Sequence, residues 1–243
     1  MNGSMAYAPA VRMNSKLFLR DPERTELGRR IVREGALLLA DIGFEAMTFR
    51  KLAERLNTKE ASIYRYFENK HRLLVYLMAW HWHWLDYQVL FHTHNLTDPR
   101  EQLERVLRIL VPTEADVPTG FDEPDPRALR LLVIREGSKA YLTHHVTEDN
   151  REQLFKPYKD LCARIAGLIT AYRPTYPYPR SRASSLIETA HYQAYFRTYL
   201  PSLTDLGPAG ETDAVGGEAL LTFMHHVLFS SLHAELEPPV LTG

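Results

Sequence analysis

The sequence lacks the features that would place it in several large functional classes. It has one cysteine, Cys162, in 243 residues. That excludes an intramolecular disulfide framework and a cysteine-built metal centre. No apolar run approaches the roughly eighteen residues of a membrane span. The opening stretch has no apolar core behind early positive charge, so no secretory leader is expected. A soluble, cytoplasmic protein with no membrane partner is the expectation. Alternating runs of β-branched residues are missing, which argues against a sheet. With 12 Gly and 15 Pro, collagen-like and low-complexity chains are excluded. No G-x-S-x-G, phosphate-cradling glycine loop or H-E-x-x-H occurs. Neither an enzyme nor a cofactor is therefore expected.

What is present is an ordinary globular balance, 45% hydrophobic and 24% charged. The net charge of −1 hides an asymmetry. Residues 12–74 carry 14 Lys and Arg against 9 Asp and Glu, an excess of five positive charges. The remainder carries an excess of six negative charges. A basic third on an acidic body points to a module that meets a polyanion.

Apolar residues recur at helical spacing along the chain, so the fold class is all-α. Residues 1–21 lack that spacing and are expected to be a flexible tail. A first helix over 22–40 has Asp21 as its cap and Gly43 as its stop. Thr48 caps a short helix whose inner face is Leu52, Ala53 and Leu56. Asn57 tolerates a left-handed turn, and Thr58 is placed to cap a second short helix over 59–65. Two short helices across a tight turn form a helix-turn-helix. A long helix over 70–92 follows, then helices over 99–111, 127–145, 148–171, 181–200 and 213–236. Residues 112–126 are acidic, Pro-rich and expected to be a loop. Pro157 either kinks the helix over 148–171 or marks its start. The expected domains are a DNA-binding module over 22–69 and a helical body over 70–243.

On the second short helix, Lys59, Ser62 and Arg65 can share an outward face while Ile63 points in. Ala61 and Ser62 are small enough to let the helix approach a groove floor. Thr48, at a helix N-terminus, suits a phosphate. Tyr64, Tyr66 and Lys70 are spaced to clamp the backbone beyond it.

Residues 23–78 resemble the DNA-binding domain of the tetracycline-repressor (TetR) family. The resemblance rests on DIGFEAMTFRKLAERL, the turn at Asn57–Thr58, and IYRYFENKHRLL. It implies that Thr48, Arg50, Tyr64, Tyr66 and Lys70 position the module on the backbone. It implies that Lys59, Glu60, Ala61, Ser62 and Arg65 meet base edges. Arg20 and Arg24 would reach a phosphate or the minor groove. Asn57 stands where the family usually has Gly, and it can adopt the same conformation. Glu60 is the second departure, because an anion there meets phosphate repulsion unless it accepts from a cytosine amino group.

For the body, the resemblance implies a homodimer through the last two helices and a cavity for a small molecule. Leu186, Ile187, Ala190, Ala194, Leu221, Met224 and Leu228 are the expected dimer face. Trp80, Trp84, Tyr87, Gln88 and Phe91 share one side of the long helix. Tyr141, His144, Tyr158, Cys162, Tyr192, Tyr195 and Phe196 are the residues that would complete a pocket. Such walls fit a hydrophobic or aromatic effector, and each residue is as readily read as core. The eleven His include pairs at i,i+2 and i,i+1, which diverge on a helix. No metal site is expected.

The leading expectation is a dimeric, ligand-responsive regulator, most simply a repressor, on a near-palindromic duplex operator. The alternatives are a DNA-binding factor controlled by a partner protein with no small ligand and, more remotely, an enzyme using the aromatic body.

Overall fold

A computed structural model describes residues 13–111, 124–141, 146–207 and 214–233. Among the described residues every regular element is a helix. The α-helices are α1 (Glu26–Ala46), α2 (Phe49–Leu56), α3 (Glu60–Tyr64), α4 (Lys70–Thr93) and α5 (Pro99–Leu110). They continue with α6 (Pro126–Tyr141), α7 (Val146–Arg151), α8 (Lys156–Tyr172), α9 (Pro179–Tyr199) and α10 (Ala214–His233). Packing divides the chain into two compact units, with the divisions after Phe91 and Leu161 lying inside α4 and α8. The first unit therefore holds α1–α3, most of α4, α6 and α7, a larger grouping than the module expected over 22–69.

In the first unit, α1 begins later than its sequence implies. Asp21 caps only a 3-10 turn, Pro22–Arg24, by accepting from the Glu23 N–H. Thr25 caps α1 itself, its hydroxyl accepting from the Gly28 N–H at 3.0 Å. Gly28 is needed there because a Cβ would lie 2.2 Å from the Pro22 carbonyl oxygen. Ile31, Val32, Ala36, Leu38 and Leu39 then form the buried stripe of α1.

Residues 13–21 are not a loose tail. Asn14 Nδ2 donates to the Glu152 carbonyl at 2.8 Å, Leu17 is buried, and the Leu19 N–H donates to the Tyr66 carbonyl at 2.8 Å. The single apolar anchor Leu17 is too little periodicity to show in sequence. The rest of the expected tail, 1–12, lies outside the described residues, as do 112–123 of the expected loop.

The helix expected over 148–171 is two helices. Gln153, at φ +64°, turns the chain between α7 and α8. Pro157 marks a start rather than a kink, since it sits in the first turn of α8, where its missing N–H leaves no bond unmade. Arg72, in the first turn of α4, pairs with Asp149 and Glu152 at 3.4 Å each.

In the second unit α10 packs against α9 and α5. The Arg100 guanidinium lies 4.9 Å from the Phe229 ring centre, and His225 lies 3.8 Å from Glu104. Leu186, Ile187, Ala190, Met224 and Leu228 are fully buried within the one chain. The expected dimer face is thus largely an internal one, and only Ala194 and Leu221 of that set remain partly exposed. Helical spacing shows which residues share a face but not which neighbour covers it. The outward residues of α9 are aromatic instead, with Tyr192 53% and Tyr199 42% exposed. No helix among the described residues is long and apolar enough to cross a membrane.

Candidate nucleic-acid interface

The helix-turn-helix is built from local chemistry. Thr48 holds an extended backbone and its hydroxyl accepts from the Lys51 N–H at 3.2 Å, which starts α2. Asn57 ends α2 in the left-handed region, φ +50° and ψ 52°, with its N–H returned to the Ala53 and Glu54 carbonyls. The family glycine is therefore replaced without loss of the turn. Lys59, not Thr58, occupies the cap position of α3, and its side chain makes no capping bond. That leaves the ammonium outside the helix. Ile63 is fully buried and fixes which side of α3 faces out.

That outer side carries Lys59, Ala61, Tyr64 and Arg65, all exposed, with Glu60 and Ser62 partly so. Tyr64 is 48% exposed and its ring packs edge-on against Phe49 at 4.9 Å, which holds the hydroxyl end outward. On α2, Thr48 and Arg50 are exposed, and Arg50 is paired with Glu54 at 3.8 Å. Glu54 thus has a cationic neighbour, whereas Glu60 has no ion pair or hydrogen bond to its side chain among the described residues. Ala61 and Ser62, the two residues before the anchor, are small, so the helix can approach a groove floor at those positions.

Two of the expected backbone contacts are turned inward. Tyr66 is 3% exposed and its hydroxyl bonds the Thr25 hydroxyl at 2.7 Å, with the Arg20 guanidinium 5.5 Å from its ring. Lys70 donates to the carbonyls of Phe44 at 2.9 Å, Met47 at 3.2 Å and Glu45 at 3.3 Å. All three ammonium protons are committed to the C-terminal carbonyls of α1. In this conformation both residues hold the module together and neither offers a free group to phosphate. The aromatic-x-aromatic spacing locates Tyr64 and Tyr66, but it cannot tell which of them is covered by the segment before α1.

The expected pocket residues fall in both units. In the first, Trp82 Nε1 donates to the Tyr141 hydroxyl, and the Trp82 and Tyr158 rings lie 4.6 Å apart. Tyr141 and Tyr158 stack at 5.8 Å, and Phe155 meets Tyr141 edge-on at 5.3 Å. Trp82 joins Tyr141 to Tyr158, a role that the shared side of Trp80, Trp84, Tyr87, Gln88 and Phe91 does not reveal; its polar tip is the signal the sequence offers. Trp80 is buried, and Trp84 is partly buried with an Nε1 that has no acceptor among the described residues. Tyr87 stacks on Phe91 at 5.8 Å beside a partly exposed Gln88. In the second unit Cys162 is partly exposed, and Tyr192, Phe196, Tyr195 and Tyr199 form an aromatic row along α9. His144 lies outside the described residues. No group of three or more His, Cys, Asp or Glu among the described residues could hold a metal ion.

Comparison with known proteins agrees with this geometry. Residues 31–77 match the family described as bacterial regulatory proteins, tetR family. No curated protein sequence matches the chain. Among solved structures, AibR in complex with isovaleryl coenzyme A and operator DNA is 18% identical. That alignment covers 80% of this chain and 96% of AibR at a TM-score of 0.57. The fatty acid degradation regulator FadR from Bacillus halodurans is 15% identical over 86% of this chain and 96% of its own, at 0.57. A transcriptional regulator from Rhodococcus sp. Rha1 is 17% identical over 90% of this chain and 100% of its own, at 0.59. At these identities the likeness is one of fold, and it extends beyond the helix-turn-helix. Residues 31–77 are thus similar to the DNA-binding domain of the tetR family, and the fold of the chain as a whole is like that of these solved regulators.

Proposed function

We propose that the protein is a homodimeric, ligand-responsive repressor that binds a near-palindromic operator and is released by a small molecule. The observation that carries this reading is the outer face of α3. A fully buried Ile63 turns Lys59, Ala61, Tyr64 and Arg65 outward on a helix short enough to enter a major groove. Lys59 and Arg65 donate to guanine edges or phosphates, Ala61 and Ser62 give close approach, and Tyr64 and Thr48 contact the backbone. Base contacts then specify the site while phosphate contacts set the register.

Dimerisation uses the outward sides of α9 and α10, where Tyr192, Tyr199, Ala194 and Leu221 remain accessible, rather than the residues that close the subunit core. The effector is a hydrophobic or aromatic molecule. The acyl coenzyme A bound by AibR and the fatty acid role of FadR support an apolar chain as the first class to try. An effector acts only by preferring one of two conformations, so release requires unequal affinity for the free and the DNA-bound forms.

The test is binding of the purified protein to duplex DNA from upstream of its own gene across a salt series. Tight binding with a steep salt slope is expected, and Lys59→Ala should lower that slope by about one. Tyr64→Ala should weaken binding to every sequence. Equal, weak binding of wild type and both variants to operator and random DNA would refute the reading.

A further inference from the structure

α1 does not run unbroken into the reading head. At Gly43, φ +76° and ψ 167°, the backbone leaves the helix. The Met47 N–H returns to the Gly43 carbonyl at 3.2 Å and closes one last turn before Thr48 begins α2. The break takes the Phe44 N–H out of the helical ladder. That proton is donated to Glu136 Oε1 on α6 at 3.0 Å.

Glu136 is 7% exposed, a position where a carboxylate without partners would be costly. Its second oxygen lies 2.8 Å from Lys139 Nζ, and Lys139 lies 3.1 Å from Glu45, so the same α6 turn grips the chain on both sides of Phe44. The hydrogen bond to Glu136 is the main reason the Lys139 pKa is raised. Arg135 donates to the Ala40 carbonyl at 2.9 Å, on the last turn before the break. A Cβ at Gly43 would lie 3.1 Å from Glu136 Oε1. Glycine is therefore required there for the backbone angle, and a side chain would also crowd the carboxylate by a few tenths of an ångström.

These contacts have one consequence for recognition. The direction in which α2 and α3 leave α1 is set between Gly43 and Thr48, where Lys70 holds three carbonyls and the Glu136 carboxylate of α6 holds the Phe44 N–H that the break sets free. We propose that Glu136 is a positioning residue for DNA recognition: from α6 it fixes the break in α1, and with it the pitch of the recognition helix. Displacement of α6 then reaches the reading head through α1 directly. The inference rests on the regulator reading, because pitch matters only when two heads must match two half-sites.

The test measures affinity for a series of operators whose half-sites are separated by one base pair more or fewer, using wild type, Glu136→Ala and Glu136→Gln. Wild type should prefer one spacing. Glu136→Ala should lose roughly tenfold at that spacing, the scale of one hydrogen bond to a charged group, and change little at its neighbours. Glu136→Gln keeps an oxygen for the Phe44 N–H and should restore the preference. If Glu136→Ala does not fold, Arg135→Ala, which removes the guanidinium from the Ala40 carbonyl, should flatten the preference to a lesser degree. Uniform weakening at every spacing, in step with a lowered Tm, would reduce Glu136 to a purely structural role and overturn the proposal. Unchanged spacing preference in the variants would overturn it too. A wild-type protein that binds no two-half-site DNA at all would instead refute the regulator reading beneath it.

Discussion

The α2–α3 pair and the α9–α10 pair each consist of two helices packed on one another, but they leave different surfaces to solvent. In α2–α3 a threonine cap, a left-handed asparagine and one buried isoleucine set the geometry, and the exposed face is small, polar and cationic. α9 is 21 residues long, has no side-chain cap at its start, and shows tyrosines outward. The first kind of face suits a hydrated polyanion, where donors count and apolar area does not. The second suits an apolar partner surface, since tyrosine combines a large ring with a polar tip. The difference teaches that the two surfaces of one chain are selected by different solvents.

The comparison breaks first at the anchors. Ile63→Ala removes a fully buried side chain from beneath α3 and should cost about 3 kcal/mol of stability in urea unfolding. Tyr64→Ala, one residue along, should cost about 1 kcal/mol, the value of its edge-on contact with Phe49. Equal losses at the two positions would mean that α3 is not held by one side alone.

A comparable loss of about 3 kcal/mol is expected for Leu186→Ala in α9, because that side chain is fully buried in its own chain. The subunit affinity of the proposed homodimer should stay unchanged in sedimentation equilibrium at low temperature. Tyr199→Ala should do the reverse, leaving the Tm nearly constant while the proposed dimer dissociates at higher concentration. A Leu186→Ala variant that is stable but monomeric would restore the dimer face inferred from sequence.

Legibility in the sequence followed the same division. Thr48, Asn57 and Ile63 act through their own backbone or the adjacent turn, so their roles could be read directly. Tyr66 and Lys70 could not be placed, because what covers or engages them, the segment 13–25 and the end of α1, comes from elsewhere in the chain. The all-helical class and the approximate extents of α4, α5 and α9 followed from periodicity. Which face of α9 is internal did not, since its apolar and aromatic residues occupy most of its circumference. Glu136 was invisible for a related reason: nothing local distinguishes a buried acid on α6 from a solvated one.

Glu60 gives a smaller and sharper test of the cationic face. Its carboxylate has no partner among the described residues, and on DNA it repels phosphates and the acceptor-rich edges of guanine and thymine. Cytosine alone presents a major-groove donor without an acceptor beside it. Wild type should therefore favour cytosine at one position of each half-site. Glu60→Gln should move that preference to adenine, by about 1–3 kcal/mol of discrimination. Selection of binding sites from a randomised pool measures the change. An unaltered base preference would remove Glu60 from the groove and leave Lys59 and Arg65 as the readers.

The smallest expected effect lies away from both faces, at His83 on α4. Burial pushes its pKa below the ordinary 6.5, with Asp86 and Asp160 opposing and Lys156 adding a lesser push downward. The unfolded chain thus takes up the proton at a higher pH than the folded one. The resulting stability is fully present above about pH 6.5 and is lost as the pH falls through the folded value. Other groups titrate in the same range, so the informative quantity is the difference between wild type and His83→Gln. That difference should shift in favour of the variant as the pH is lowered from about 7.5 to about 5.5. Asp160→Asn removes one of the two opposing carboxylates and should enlarge the loss of stability on acidification. A gap between wild type and His83→Gln that stays constant with pH would mean that His83 titrates alike in the folded and unfolded chains.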